Sequence, residues 1–220
     1  MELRIKMEII KRGLLFFLTV SLSACSFLMD VKPEGNTLKE LQSFYVIDVD
    51  RGLKESTSYD GKVLFVAPVR VTSQFRHKSL VYKVGDNAFQ PQTDHQFFDS
   101  PEEMFTTQLQ RWLIKTGIFS TVITDNKHSA DLILETAVTS LYGVKMEGHR
   151  PQSVIEMQFF ITDRHLVEDD VIFQTGLSID IDIAETTPPN VVKGWQTGFK
   201  KLLSTLEDDL SRYFHNNTPR

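Results

Sequence analysis

Cys25 is the residue in this sequence that is best suited to covalent chemistry. Its thiol is the only one among 220 residues, and the thiolate form of cysteine is a strong nucleophile. Leu22, Ser23 and Ala24 come directly before it. Small residues such as Ser23 and Ala24 give a peptidase access to the backbone. The residue types and their order therefore fit a chemical modification of the Cys25 sulfur and a cleavage just before this residue.

The segment before this cysteine has the order of a secretory signal sequence. Two basic residues precede an apolar run over residues 13–20, and small residues follow at the cleavage point. The run is too short to span a bilayer, which takes roughly 20 residues. Leu22-Ser23-Ala24-Cys25 is similar to the bacterial lipobox, in which the cysteine carries a diacylglyceryl group and an N-acyl chain. Residues 1–24 are thus predicted to be a lipoprotein signal peptide. An ordinary signal peptide followed by an unmodified cysteine is the alternative.

Acyl chains on Cys25 would anchor the protein to a membrane, since each buried CH₂ group contributes about 0.8 kcal/mol. Residues 25–42 lack sustained periodicity and are predicted to be a tether, which reaches roughly 60 Å from Cys25 to Phe44 when fully extended. Ser26 stands where lipoproteins that stay at the inner membrane typically carry Asp, so we expect sorting to the outer membrane. Translation from Met7 would still leave a complete signal.

The net charge narrows the range of partners. The whole chain has a formal net charge of −5, and removal of residues 1–24 takes away four basic and two acidic residues, which leaves −7. An acidic chain is a poor ligand for nucleic acids or for anionic headgroups. The remaining length is enough for one domain with a sizeable core, which we place at residues 43–215 with a tail at 216–220.

Hydrophobic patterning predicts strands in the first half of this domain. Strands are expected over Phe44–Val49, Val63–Ala67 and Leu80–Val84. The second of these is apolar on both faces, which is typical of a central strand that is covered on both sides. The stretch from Ala88 to Asp99 is polar apart from three phenylalanines, and no strand is predicted there.

Two amphipathic helices are also predicted. The first begins with Ser100 as its N-cap, Pro101 in its first turn and Glu103 completing a capping box, and it ends near Gly117. The second starts after Asn190, the expected N-cap, and carries an apolar stripe of helical period. Both charge signs occur on its polar side, which favours packing on a sheet over binding to a membrane surface. The residues expected on that wet side are Lys193, Lys200, Lys201, Glu207, Asp208 and Arg212.

Three longer runs between the helices alternate apolar and polar residues. They cover Asp131–Tyr142, Ser153–Asp163 and Val171–Ile183. One apolar face and one polar face indicate antiparallel strands that are covered on one side only. The predicted fold class is therefore α+β, with a mostly antiparallel sheet and two long amphipathic helices packed on one face.

The sequence offers no further chemistry of a recognised kind. It contains no phosphate-binding glycine loop, no nucleophile elbow and no cysteine–histidine metal spacing. The carboxylates of Asp180 and Asp182 project from one face of a predicted strand, so a calcium or acid–base site is conceivable, but a polar sheet face is the simpler interpretation. We therefore predict no enzymatic activity, no metal and no cofactor apart from the covalent acyl groups on Cys25.

Several short motifs follow one another in a distinctive order between residues 44 and 214. After the lipobox come an aromatic strand at Phe44, the stretch from Phe75 to Lys83, a turn at Gly85-Asp86-Asn87 and an aromatic segment ending at Phe97. This order resembles the ABC-type transport auxiliary lipoproteins, the PqiC-like group. The sequence departs from the usual pattern where Gln96 and Phe97 replace Arg and Trp.

The resemblance implies a non-enzymatic adaptor on the periplasmic face of the outer membrane. Its implied partner is the MCE-type protein of an ABC-type lipid transport system, and it also implies a homo-oligomer that matches a symmetric conduit. Arg76, Lys83, Phe97 and Phe98 are the candidate partner contacts, because the two phenylalanines lie outside any periodic stripe. The alternative for both aromatics is that they close one end of the core. A lipid-binding shuttle and an assembly factor for an envelope polymer such as lipopolysaccharide are the alternative functions.

Overall fold

A mixed sheet and two α-helices make up the part of the chain that the computed structural model describes, residues 42–53, 61–166 and 170–217. The predicted signal peptide, Leu22, Ser23, Ala24 and Cys25 lie outside these residues, as does most of the tether. In chain order the elements are β1 (Ser43–Tyr45), β2 (Val63–Val66), β3 (Arg70–Val71), β4 (Ser79–Gly85), β5 (Ala88–Phe97), α1 (Pro101–Ile114), β6 (Thr121–Ile123), β7 (Leu132–Val144), β8 (Gln152–Asp163), β9 (Val171–Asp182) and α2 (Pro188–Asn217).

Strand β7 is the centre of the sheet. One of its edges pairs with β8, which in turn pairs with β9, and both pairs are antiparallel over almost their whole length. Its other edge is shared by β2, β3 and β4, each parallel to β7 over two or three residues. Beyond β4 the sheet continues through antiparallel β5 to parallel β1. The predicted α+β class is confirmed, and the longest ladders are antiparallel, but the sheet is mixed.

The core follows from the alternation in the long strands. Ile155, Met157, Phe159 and Ile161 occupy alternate positions of β8 and are all fully buried. The apolar stripes of both helices belong to the same core cluster. In α2 the indole N–H of Trp195 donates to backbone carbonyls of β7 and β8, which satisfies the polar atom of the largest fully buried side chain. Among the described residues, no helix is both long and apolar enough to cross a bilayer.

The start of α1 matches the prediction from the sequence. The Ser100 hydroxyl oxygen accepts the backbone N–H of Glu103 at 3.2 Å, and the same hydroxyl lies 3.0 Å from the Glu103 carboxylate. Pro101 occupies the first turn, where its missing N–H costs nothing. Gly117 adopts a positive φ of 66° just after the helix, a conformation that glycine reaches without steric cost.

Two predicted boundaries were wrong. The expected strand over Phe44–Val49 ends at Tyr45, because the backbone N–H groups of Ile47 and Val49 bond to side chains of α1 instead of to a neighbouring strand. Helix α2 begins at Pro188, so Asn190 is not its N-cap; the N–H of Val191 bonds to the carbonyl of Thr187. The two prolines fit the first turn, where backbone N–H groups have no intrahelical acceptor.

Two further expectations were wrong. The stretch that was expected to contain no strand contains all of β5, which is largely exposed but pairs with both β1 and β4. Glu207 was expected in solvent and is buried, with its carboxylate held by the guanidinium of Arg51 and the indole N–H of Trp112.

Gly194 is a point of close approach between α2 and β8, and a substitution there is expected to destabilise the fold. A Cβ atom at Gly194 would lie 2.6 Å from the Cβ of Ser153, which is nearer than side chains can pack. We expect Gly194→Ala to lower the free energy of unfolding by about 2 kcal/mol, because overpacking outweighs the better helix propensity of alanine. Equilibrium unfolding in urea measures this change.

The matched control is Gly61→Ala, since a Cβ at Gly61 meets nothing within 4 Å. This control should change stability by less than about 0.5 kcal/mol. The cost of Gly194→Ala should also shrink in a Ser153→Gly background, which removes the clashing atoms. Equal effects in both backgrounds would show that the close approach is not the cause.

Candidate functional site

The β4–β5 hairpin carries an aromatic cluster on one face of the sheet. The rings of Phe75, Phe89 and Tyr142 contact one another, with centroid separations of 6.0 Å (Phe75–Tyr142), 5.4 Å (Phe89–Tyr142) and 5.8 Å (Phe75–Phe89). The ammonium group of Lys83 lies 5.9 Å from the centroid of the Tyr142 ring. We call these four residues the hairpin cluster. A cation over an aromatic ring beside an exposed phenylalanine can bind a partner through both charge and apolar contact.

Strand register brings the hairpin cluster together. Lys83 pairs directly with Phe89 across the hairpin, so both side chains project from the same face. Lys83 also pairs with Val144 of β7, which places Tyr142 within reach on that face. Phe75 is buried in the loop that precedes β4 and supports the two more exposed rings from below.

The opposite face of the hairpin repeats the pattern of a lysine over a tyrosine. The ammonium group of Lys145 lies 5.9 Å from the centroid of the Tyr82 ring. Burial raises the pKa of Tyr82 far above its usual value, helped by Tyr45 and Asp94. Burial also raises the pKa of Tyr142, so both phenols stay protonated at neutral pH. The hairpin thus presents a lysine beside a tyrosine ring on each of its two faces.

The four predicted contact residues fall in three different environments. Arg76 is exposed and directly follows Phe75, and Lys83 belongs to the hairpin cluster. Phe97 is only 1% exposed and packs against the Trp195 ring at 5.6 Å, so it belongs to the core and offers no surface to a partner. Phe98 is 62% exposed and contacts Phe44 edge to face at 6.2 Å. The alternative of closing the core thus holds for Phe97 alone, because adjacent residues at a strand end point to opposite faces.

Sequence reasoning placed the candidate contact surface in the segment Leu80–Phe98 but did not name Phe89 as a contact residue, and it did not include Tyr142. Phe89 follows the Gly85-Asp86-Asn87 turn by two residues, and Lys83 precedes the turn by two. If the turn joins the two strands of a hairpin, residues at equal distances from it lie opposite each other, so this spacing predicts that Lys83 and Phe89 form a cross-strand pair. Tyr142 had no comparable signal, since its strand is distant in sequence and its register with β4 depends on the complete fold.

The described residues contain no cluster of three or more histidine, cysteine or acidic side chains that could hold a metal ion. The imidazole of His165 does contact the Asp131 carboxylate at 2.9 Å. The other oxygen of that carboxylate accepts the backbone N–H of Val63 at 2.7 Å, and both hydrogen bonds help to lower the pKa of Asp131. This pair therefore links β2 to the loop after β8, which is a structural task.

A groove of about 920 Å³ runs along the outer side of α2. It is open to solvent, and lysine and aspartate side chains line it together with Val49 and Ile179. A lipid-binding shuttle requires an enclosed apolar cavity for acyl chains. This groove is open rather than enclosed, so it does not favour the shuttle alternative.

The described part of the chain is an α+β domain with an aromatic cluster on its β4–β5 hairpin. The family model for the ABC-type transport auxiliary lipoprotein component matches residues 45–206, so this chain belongs to that family. The match covers the hairpin, α1 and most of α2. Membership makes the protein a lipoprotein-type auxiliary component of a transport system, as the resemblance implied.

Solved structures support the fold. Protein XCC0632 from Xanthomonas campestris, of family DUF330, is 11% identical and superposes with a TM-score of 0.70, covering 80% of this chain and 99% of that one. An uncharacterized protein is 14% identical with a TM-score of 0.62, covering 77% of this chain and 99% of that one. A comparison with curated protein sequences finds no match. At these identities the likeness shows the shared architecture alone.

Proposed function

We propose that this protein is a non-enzymatic adaptor that is anchored by acyl chains on Cys25 to the periplasmic face of the outer membrane. In this proposal the folded domain docks the periplasmic end of an MCE-type protein, which conducts lipids for an ABC transporter. The domain assembles as a homo-oligomer around that conduit. The observation that carries the proposal is the family match over residues 45–206. The lipobox at residues 22–25 supports the anchor.

The hairpin cluster is the surface that we assign to the conduit. Lys83 and Arg76, which directly follows Phe75 in the sequence, supply positive charge in a chain that is acidic as a whole, and Phe89 is an exposed apolar anchor that pairs with Lys83. Aromatic residues and arginine are enriched among residues that dominate binding energy at interfaces. We no longer include Phe97 among the candidate contacts because it is buried, and Phe98 lies on a separate patch.

The experiment is co-purification of the conduit with the native chain from detergent-solubilised envelopes. We expect the double variant Arg76→Glu with Lys83→Glu to recover about tenfold less conduit, since charge reversal at a complementary surface slows association and weakens binding. The control is Lys200→Glu with Lys201→Glu, which reverses the same charge on exposed positions of α2.

Equal recovery with both double variants would remove the hairpin cluster from the proposal. Genes for a permease, an ATPase and an MCE-type protein beside the gene for this chain would support the choice of conduit. If the chain co-purifies with no MCE-type protein at all, the adaptor role itself is wrong.

A further inference from the structure

Three exposed apolar side chains form a patch at the edge of the sheet, where the described domain begins. Phe44, Val46 and Phe98 are 53%, 52% and 62% exposed. The rings of Phe44 and Phe98 meet edge to face at 6.2 Å, and the backbone N–H of Phe98 donates to the carbonyl of Tyr45 at 2.9 Å. We call these three residues the β1 patch. Its backbone is held in place by the fold, so the apolar surface is a fixed feature of the domain.

The position of the β1 patch in the chain points to what covers it. Strand β1 starts at Ser43, directly after the predicted tether, and Phe44 is separated from Cys25 by 18 residues. A chain of that length reaches roughly 60 Å at most, so the patch stays within that distance of whatever surface holds Cys25. An anchor on the same molecule raises the effective concentration of that surface into a range where a small apolar patch can bind.

We propose that the β1 patch rests on the surface of the lipid bilayer that holds the acyl anchor. Aromatic and aliphatic side chains insert into the boundary between headgroups and acyl chains, as on membrane-bound amphipathic segments. The ammonium group of Lys78 donates to the carbonyl of Phe98 at 2.8 Å, and the exposed Asp99 directly follows Phe98 in the sequence. These opposite charges flank the patch, so apolar contact rather than charge holds it to the membrane.

This orientation is compatible with a second surface for the conduit. Phe97 lies opposite Lys78 across the hairpin, because the backbone N–H of Phe97 donates to the carbonyl of Lys78. Lys83 lies five residues further along the chain, which corresponds to roughly 16 Å. The β1 patch on the bilayer would therefore leave the hairpin cluster free for its partner. The inference rests on the proposed anchor, and it adds the orientation of the domain.

The test places a fluorescent reporter in the β1 patch. The mature chain from residue 25 is coupled through its single thiol to a maleimide lipid in vesicles of phosphatidylethanolamine and phosphatidylglycerol with brominated acyl chains. In the Phe98→Trp variant the emission intensity of the introduced indole should be lower by a factor of roughly two or more in brominated vesicles than in vesicles without bromine. The two native tryptophans, Trp112 and Trp195, are buried and provide a constant background.

The matched control is Val171→Trp. Val171 is 54% exposed at the start of β9, and β9 and β1 lie at opposite ends of the path β1-β5-β4-β7-β8-β9. The five strand spacings between them correspond to about 24 Å. An indole at this position should keep its emission in brominated vesicles.

Equal quenching of the two variants, or quenching of neither, would overturn the proposal. The emission of the indole at position 98 could instead change with the density of protein on the vesicle and not with bromine. That result would mean that the patch contacts a second copy of the chain, and it would also overturn the proposal. Because chemical coupling supplies the anchor, these outcomes are independent of native acylation. If the proposed acyl anchor is wrong, the protein isolated from its native membrane would instead carry no acyl groups on Cys25.

Discussion

The Glu207→Ala variant is expected to lose about 3–5 kcal/mol of its free energy of unfolding, the cost that is typical of breaking a buried ion pair. In the native fold the Nε and Nη2 atoms of Arg51 each lie 2.8 Å from one oxygen of the Glu207 carboxylate, a bidentate arrangement. The indole N–H of Trp112 adds a third hydrogen bond at 3.1 Å. Both charged side chains are buried. The network joins the segment after β1 to α1 and α2.

Removal of the carboxylate is costly because the guanidinium stays behind. An arginine guanidinium keeps its proton in proteins, so Arg51 cannot avoid the cost by becoming neutral once Glu207 is gone. Its Nη1 atom already lacks a hydrogen-bond partner in the part of the chain that the structure describes. The variant would leave the charge on Arg51 without this carboxylate in a site from which water is largely excluded.

Urea unfolding of matched variants checks this expectation. Arg212→Ala removes an exposed ion pair with Asp209 on the same helix and should cost less than about 1 kcal/mol. The double variant Arg51→Met with Glu207→Leu should be more stable than Glu207→Ala, because apolar residues of similar size avoid the uncompensated charge. If Glu207→Ala and Arg212→Ala lowered the free energy of unfolding by the same amount, the buried ion pair would not contribute substantially to holding the segment after β1 against the helices.

Strong local patterns explain which parts of this fold could be predicted. The alternation in β8 and β9 and the capping residues of α1 depend on neighbours only a few residues away, and the structure confirms them. Strand β5 had no such pattern, since most of its side chains face solvent and Pro91 interrupts it. Hydrogen bonds to β1 and β4 on its two sides hold it in the sheet, and these partners are set by the complete fold.

The same limit applies to individual residues of the candidate site. Lys83 lies on a predicted strand beside a turn, and the structure places it beside Phe89 and Tyr142, while its contact with a partner stays a prediction. The sequence could not show which of Phe97 and Phe98 is buried. Side chains alternate between the two faces of a strand, so the answer depends on the strand's register, and β5 was not recognised as a strand. Glu207 looked solvent-exposed because its partner, Arg51, lies 156 residues away in the sequence.

The second large effect concerns the anchor. We expect the Cys25→Ser variant to disappear from the outer-membrane fraction, because serine cannot form the thioether that holds the acyl chains. Two or three acyl chains make membrane binding effectively permanent, whereas a single chain gives only marginal, reversible binding. Fractionation of envelopes on a density gradient, with mass spectrometry of the N-terminal peptide, measures both location and acylation.

Ser26→Asp is the matched control, since it keeps the nucleophile and changes only the residue after it. This variant should retain its acyl groups but move to the inner-membrane fraction, as expected for lipoproteins with Asp at that place. The two variants therefore separate modification from sorting. A Cys25→Ser protein that still fractionates with the outer membrane would mean that the domain has another means of attachment. The β1 patch alone cannot provide it, because three partly exposed apolar side chains bury too little surface to hold a domain without a covalent anchor.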